Sequence, residues 1–576
     1  MPHRTSIASQ LALLVVGTSS LFAVAQNPPE STSHSDTHKS LAEVHFTRAS
    51  DCAMCHSFAK SASAMRDSAG RNVAPFDLWS GSMMANSAVD PYWRAAVSAE
   101  VAATPAQKLH IEEVCTRCHA PMAALIDSSP AGEVLAFLHS DKSNANAAKA
   151  KLGRDGVSCT VCHQISAEQL GTEASFTGGF IFNKQSLIYG PHASPVTMPM
   201  QRHVGYTPAE GDHVLSSAMC ATCHTVITGS YDHQGASTGI QLHEQVPYLE
   251  WRNSIYNDEM TANQDTAKSC QACHMPQTDV DGEKISTRLA HNPGGRDFPF
   301  LKPREPYGRH TFAGGNTFMT RLIRDHRESL GLSTPVEAFE RVIAESRNML
   351  QNATATISVG KISVVDNVAM VSVDIENLSG HKFPTAYPSR RAWIELRVRD
   401  SLGKARFSSG RFNEQGQLVN SDDEVLETEK AHGPIQPHFE TISDSRQVQI
   451  YESLMEDTEQ ALTFALLRGS RFQKDNRLLP KGWSPTHEHA VATQPRGTEK
   501  DSDFMAGKDT TRYQLQLTPG TYVVEARLLF QSLSGRYMAE LFEVDTPEVK
   551  DFKKLYDRAD RAPEVIASAE MTLVIQ

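Results

Sequence analysis

The chain has 576 residues, of which 40% are hydrophobic and 21% are charged, and its formal net charge is −12. This composition is typical of folded globular proteins, and the length allows more than one hydrophobic core. The acidic charge argues against a nucleic-acid partner, because phosphate backbones attract basic surfaces. It suits partner proteins that carry basic docking patches.

The first 25 residues have the pattern of a secretory signal peptide. Arg4 precedes an apolar run centred on residues 11–16, and Ala23-Val24-Ala25 offers small residues for cleavage. The alternative, an uncleaved membrane anchor, is disfavoured because polar and small residues at 17–20 interrupt the run. We expect an exported protein, periplasmic or on the cell surface, with residues 26–44 as a flexible leader. No later segment predicts a transmembrane span in the mature chain.

All ten cysteines belong to Cys-x-x-Cys-His units, the pattern of c-type haem attachment. In that chemistry the two thiols add to the haem vinyl groups, and the adjacent histidine binds the iron as proximal ligand. The pattern predicts five covalently bound haem c groups. The five units are Cys52, Cys55 and His56; Cys115, Cys118 and His119; Cys159, Cys162 and His163; Cys220, Cys223 and His224; and Cys270, Cys273 and His274.

Paired cysteines have two other common uses. Exported proteins often form disulfides, and ten cysteines could form five of them. Paired Cys-x-x-Cys units also bind zinc. Neither use requires a histidine directly after every second cysteine, so both are disfavoured.

All five units lie within residues 45–332, where helical patterns are interrupted and strand patterns are few. We predict a mainly helical, loop-rich haem domain over this range. Thr334-Pro335-Val336-Glu337 then has the form of a capping box with proline at the first helical position. Apolar residues at helical spacing follow it, which predicts a connecting helix over 333–352.

From residue 353 to residue 576 the hydrophobic pattern changes to a period of two, which is typical of strands. The whole chain is therefore predicted to be a multidomain α+β protein that ends in an antiparallel β-sandwich domain. That domain has no cysteine and hence no attached haem, so its expected role is structural, docking or partner recognition. Strands are predicted at 394–398, 513–517, 522–530 and 571–575, with a turn at Pro519-Gly520.

Each iron has a second axial position, which a further side chain can occupy. Thirteen histidines outside the five units lie between residues 34 and 326. Sequence context favours five of them as distal ligands: His45, His110, His192, His213 and His310. Met83 and Met84 are rival candidates, although core packing explains methionines equally well.

The number of ligands on each iron separates two functions. Iron with two protein ligands is closed to substrate and transfers electrons. An open position would allow chemistry on a small molecule. The alternative function is therefore a multihaem oxidoreductase that acts on an inorganic nitrogen or sulfur compound.

Several segments resemble the multihaem c-type cytochromes related to hydroxylamine oxidoreductase and to the tetrahaem cytochrome of ammonia oxidisers. In the haem region these are residues 78–84, 189–192, 221–225, 248–251 and 273–276. Residues 380–385 and 474–480 resemble a β domain often fused to such cytochromes.

The resemblance implies electron transfer through closely stacked haems, and it places His192 at a distal-ligand position. The chain departs from hydroxylamine oxidoreductase in having five units rather than eight and no tyrosine crosslink pattern, so that enzyme's activity is not carried over. We therefore predict an electron carrier that works between redox partner proteins.

Overall fold

The computed structural model describes residues 44–125, 147–365 and 368–576. The predicted signal peptide and nearly all of the predicted leader lie outside these residues. Among the described helices, none combines the length and the apolar composition needed to cross a membrane.

Helices, most of them short, outnumber strands in the first half of the described chain, and a few more lie in the second half. Their bounds are α1 Ala49–His56, α2 Pro75–Trp79, α3 Pro91–Ala103, α4 Lys108–His119, α5 Pro121–Leu125, α6 Ala147–Gly153, α7 Cys159–Cys162, α8 Met198–His203, α9 Ser217–His224, α10 Pro247–Arg252, α11 Cys270–His274, α12 Thr317–Asp325, α13 Val336–Ala353, α14 Ala490–Thr493, α15 Gly535–Leu541 and α16 Pro547–Tyr556.

The haem region also contains strands. β1 (Leu187–Gly190) pairs in parallel with β2 (Thr207–Glu210), and β3 (Val226–Tyr231) pairs with β4 (Ser237–Gln245) as an antiparallel hairpin. β1 and β2 have four residues each, too few for a clear alternation, and the glycines and small polar residues of β3 and β4 obscure theirs. The prediction of a mainly helical region is therefore not confirmed, and the chain as a whole is α+β with a β-rich C-terminal part.

Helix α13 begins at Val336, three residues after the start of the predicted 333–352 segment and one residue after the proline that was expected at its first position. Pro335 stands at the N-cap, and no side chain caps the helix, so the expected capping box is wrong. Proline lacks an N–H and has a fixed φ, which suits the N-cap as well as the first helical turn. The helix buries Phe339, Ile343 and Leu350 on one face, in agreement with the apolar spacing of the sequence.

The C-terminal region contains thirteen described strands, including strands at all four predicted segments. Their bounds are β5 Ala355–Val365, β6 Val368–Asn377, β7 Arg391–Asp400, β8 Ala405–Ser409, β9 Arg411–Phe412, β10 Leu418–Val419, β11 Thr441–Ile442, β12 Ile450–Glu456, β13 Leu462–Thr463, β14 Arg471–Asp475, β15 Lys508–Gln516, β16 Gly520–Gln531 and β17 Glu564–Ile575.

Most of these strands form two sheets. The four-stranded sheet has the order β11-β15-β6-β5, and the larger sheet has β13-β12-β7-β16-β17 with β14 beside β12 and β8 beside β7. The turn at Pro519-Gly520 therefore connects strands of different sheets. The β11–β15 pair is parallel, so the first sheet is not wholly antiparallel as predicted.

Buried residues from both sheets form one hydrophobic core, as Val373 from the first sheet and Leu396 from the second illustrate. The sandwich arrangement itself stays a prediction. Glu395, which the alternation places on the polar face, is only 1% exposed. It is tolerated there because Arg397 and Arg527 both bind its carboxylate.

The haem region and the β-rich region share a second core. Tyr92 from α3 and Phe318 from α12 pack with Leu533, Phe552 and their buried neighbours. Asp90 begins α3 by accepting hydrogen bonds from the Tyr92 and Trp93 N–H groups, which fixes the helix that presents Tyr92. The two regions thus pack against each other through apolar side chains that are shielded from water.

Candidate functional site

All five Cys-x-x-Cys-His units lie on helical turns. They occupy α1, the end of α4, α7 with the residue after it, the end of α9, and α11. On a helix, residues at i, i+3 and i+4 share one face, so both thiols and the histidine of a unit face the same side. Serine side chains help to start the last two turns, because Ser216 and Ser269 accept hydrogen bonds from the backbone of α9 and α11.

The ten cysteines are free thiols, which disagrees with the disulfide alternative. Nine are partly accessible and Cys273 is exposed. A thiol that must bond to a porphyrin has to face a crevice rather than the packed core, and this accessibility fits that requirement.

Backbone carbonyls orient three of the five unit histidines. The Nδ1 of His56 lies 2.9 Å from the Leu289 carbonyl oxygen, that of His163 lies 2.6 Å from Tyr189, and that of His274 lies 2.6 Å from Ala313. A carbonyl only accepts, so each Nδ1 carries the proton and Nε2 keeps its lone pair. This is the usual arrangement of histidines that bind a metal through Nε2.

The unit histidines are held in their neutral form. Burial lowers the pKa of all five, and that of His119 and of His224 falls to about 4. A neutral imidazole is the form that binds iron. His119 differs from the others because its Nδ1 is buried without a partner and its ring stacks on Trp93 with centres 4.8 Å apart.

Two of the unit histidines face a second histidine. The ring centres of His163 and His310 are 6.3 Å apart with planes 20° from parallel, and those of His274 and His381 are 6.4 Å apart with planes 13° from parallel. With a metal–imidazole bond of about 2 Å, and roughly 1.2 Å more from each nitrogen to its ring centre, two imidazoles on opposite sides of one metal have centres about 6.4 Å apart. The residues present therefore fit haem iron at these two units.

The other predicted distal candidates lie elsewhere. His45 and His110 are exposed, beside Tyr206 and Tyr231. His192 is partly buried near Arg304. His213 lies beside Tyr189, but its Nε2 is 2.9 Å from the Ile165 carbonyl oxygen, so only its Nδ1 is left for a metal. None of these four is seen facing a unit histidine, and their ligand role stays a prediction.

The rival methionines have other contacts. Met83 packs against the core shared by the two regions. The backbone carbonyl of Met84 accepts a hydrogen bond from the Val157 N–H at 2.9 Å. Packing therefore accounts for Met83, and the backbone hydrogen bond accounts for the position of Met84.

Sequence reasoning missed His381. It lies after β6, outside the 34–326 range of the predicted distal candidates, in a domain expected to carry no attached haem. The available signal was the Gly380-His381-Lys382 segment, which was noted only as part of a resemblance.

Cysteines of different units interact, and these interactions show which units are neighbours. Cys52 of the first unit interacts with Cys159 of the third, and the thiols of Cys118 and Cys223 link the second and fourth units. Further interactions join the third unit to the fourth and the fourth to the fifth. Cys220 and Cys270 interact through their thiols, whereas Cys162 lies near enough to Cys223 for an electrostatic interaction. The fourth unit thus neighbours the second, third and fifth.

Two buried carboxyl groups lie near the second unit. Glu100 and Glu244 are each 5% exposed. Together with burial, their charges raise the pKa of the Cys115 thiol. Burial raises the pKa of Glu100 to about 7 and that of Glu244 to about 8. The backbone N–H groups of Leu466 and Leu467 from the β-rich region point at the Glu100 carboxyl.

Replacing Glu244 with glutamine should flatten the pH dependence of stability. The folded state holds the Glu244 proton up to about pH 8, whereas the ordinary value for an exposed glutamate is 4.5. The stability that protonated Glu244 contributes is therefore fully present below pH 4.5. It is lost as the pH rises towards 8, by at most about 1.4 kcal/mol per pH unit. Denaturant midpoints between pH 5 and 8 measure this slope. Glu414→Gln, an exposed control, should keep the wild-type slope; an unchanged slope in E244Q would contradict the prediction.

One family model matches part of the chain. Residues 219–294, which contain the fourth and fifth units, match the family described as cytochrome c554 and c-prime. The units and this match support a multihaem c-type cytochrome with covalently bound haem and an electron-transfer function.

A similar solved structure is a penta-heme cytochrome c552 from Thermochromatium tepidum. The identity is 15%, the TM-score is 0.47, and the alignment covers 92% of this chain and all of the other. A TM-score below 0.5 does not establish a shared fold, so the number of haems rests on the five sequence units. No curated protein matches the chain.

Proposed function

We propose that the chain is an exported pentahaem c-type cytochrome that transfers electrons between redox partner proteins through closely spaced haems. The observation that carries the proposal is that cysteines of all five units lie close enough to interact with a cysteine of another unit, through hydrogen bonds in three pairs and electrostatically between Cys162 and Cys223. In the proposed division the haem domain spans 45–332, the connecting helix 333–352 and the β domain 353–576. The fourth unit is the branch point, because it adjoins three others.

In this function the protein would bind the haems and orient the histidines that hold their iron. The ten thiols of the units anchor the porphyrins, and the histidine at the end of each unit offers its Nε2 to iron. Carbonyls of Leu289, Tyr189 and Ala313 hold three of these rings in place. Haem c, when bound, supplies a one-electron iron couple whose potential depends on the axial ligands.

The distal side favours electron transfer over substrate chemistry at the third unit. His310 faces His163 and donates its own Nδ1–H to the Gly308 carbonyl at 2.9 Å, which leaves its Nε2 for the metal. Two histidines on one iron leave no position for a substrate. The kinship with hydroxylamine oxidoreductase is a further part of the proposal and rests only on the resemblance of short segments.

Mass and spectroscopy of the exported holoprotein test the proposal. The intact mass should equal the chain from Gln26 plus five haems, and the double variant C270S/C273S should carry four. The reduced wild type should show low-spin spectra and bind no carbon monoxide. Fewer than five haems would refute the pentahaem assignment. Rapid binding of carbon monoxide, or turnover of nitrite or hydroxylamine, would instead favour the oxidoreductase alternative.

A further inference from the structure

The β-rich region brings a histidine to the haem-attachment site. His381 lies between β6 and β7, and its ring centre is 6.4 Å from that of His274, the last residue of α11. The two planes differ by 13°. The only other described pair of this kind, His163 with His310, has nearly the same separation.

Both rings of the pair have the nitrogen arrangement of metal ligands. His274 donates from Nδ1 to the Ala313 carbonyl at 2.6 Å, and His381 donates from Nδ1 to the Lys382 carbonyl at 2.9 Å. Each Nε2 is therefore unprotonated in the neutral ring.

Local hydrogen bonds fix the backbone of His381. Its carbonyl accepts from Asn377 Nδ2 at 2.9 Å and from Ser379 Oγ at 3.0 Å. Gly380 packs so closely on Trp251 that a Cβ there would come within 3.1 Å of the indole. Tyr256 donates its hydroxyl to the Leu378 carbonyl at 2.9 Å. The segment before His381 is thus held against the haem region.

A buried carboxylate of the haem region holds the segment after His381. Glu250 of α10 is fully buried and accepts from the Lys382 N–H at 3.0 Å and from the Thr385 hydroxyl at 2.6 Å through Oε2. Arg477 lies 3.3 Å from its other oxygen. Two hydrogen bonds and an ion pair on one buried carboxylate leave little freedom for the ring of His381.

We infer that His381 is the distal axial ligand of the haem attached at Cys270 and Cys273, bound through Nε2 opposite His274. The inference rests on the proposed function. It gives the β-rich region a direct part in setting the electronic properties of the fifth haem, and it places that haem at the boundary between the two regions.

The test compares holoproteins of the wild type, H381A and H381M by intact mass, visible spectroscopy and electron paramagnetic resonance. All three should carry five haems. In H381A one haem of the five should become high-spin and bind carbon monoxide, and added imidazole should restore the low-spin signal. In H381M the haem should stay low-spin with a raised potential, because methionine is the weaker donor to ferric iron.

His432→Ala is the matched control, since His432 is an exposed histidine of the same region paired with Glu540 and Glu543. It should leave the spectra unchanged. The inference is overturned if H381A carries five haems and every one of them stays low-spin. A wild-type mass without five haems would instead defeat the proposed function, so the two failures are distinguishable. If H381A does not accumulate, H381M decides: an unchanged potential at every haem contradicts the inference.

Discussion

Replacing Arg477 with methionine should lower the free energy of unfolding by about 3–5 kcal/mol. Arg477 is 4% exposed and lies among three other buried charges. It binds Asp475 through two hydrogen bonds of 2.7 Å and pairs with Glu250 at 3.3 Å, while Lys382 binds Asp475 at 2.7 Å. Removing the guanidinium leaves an uncompensated negative charge in a site closed to water.

Denaturant unfolding followed by circular dichroism measures the loss. Arg446→Met is the control, because Arg446 pairs with Asp444 at the surface and its removal should not change the midpoint. Adding Glu250→Gln to the Arg477→Met variant should recover part of the stability, since it removes the unpaired charge and keeps the acceptor oxygen for Lys382. If nothing is recovered, lost packing rather than charge explains the effect.

Replacing Gly81 with alanine should destabilise the protein by about 3 kcal/mol, at the upper end of the usual cost of overpacking. A Cβ at Gly81 would lie 2.3 Å from the carbonyl oxygen of Ala338 and 2.7 Å from the backbone nitrogen of Phe339. Both atoms belong to the first turns of α13, whose backbone cannot move aside without breaking helical hydrogen bonds. The variant should therefore separate α13 from the turn after α2.

Thermal unfolding of the same holoprotein checks this expectation. Gly229→Ala in β3 is the matched control, because its Cβ would meet only a Tyr231 ring atom at 3.9 Å. That variant should be neutral or slightly stabilised, since alanine restricts the unfolded chain. If the G81A and G229A variants unfolded at the same temperature, α13 would accommodate the added methyl group by shifting, and the prediction would be wrong.

The sequence predicts the attachment chemistry well because that chemistry is local. A cysteine at i, a second at i+3 and a histidine at i+4 are adjacent on any helical turn, so Cys270, Cys273 and His274 can be recognised without a fold. The strands of the C-terminal half could be predicted for the same reason. Their alternating hydrophobic pattern is a local signal, because it reflects burial on one face of a sheet.

The distal side could not be predicted in the same way. His381 lies more than a hundred residues after Cys270, and only the packing of the β-rich region on α10 brings it near His274. Proximity in sequence favoured His45, His110 and His213, which precede units by a few residues but do not face a unit histidine. The buried charges on Lys382 and Arg477 are also invisible to a hydropathy pattern, because Lys382 pairs with Asp475 and Arg477 with Glu250, both far away in the sequence.

The closeness of cysteines from different units bears on how the haems are attached. If the haem-free chain folded in an oxidising compartment, an oxidised dithiol protein could transfer its disulfide to Cys52 and Cys159, which interact in the folded chain, and would itself be reduced. Such a crosslink would disable two attachment units at once. Attachment of the porphyrins before the chain folds would avoid it.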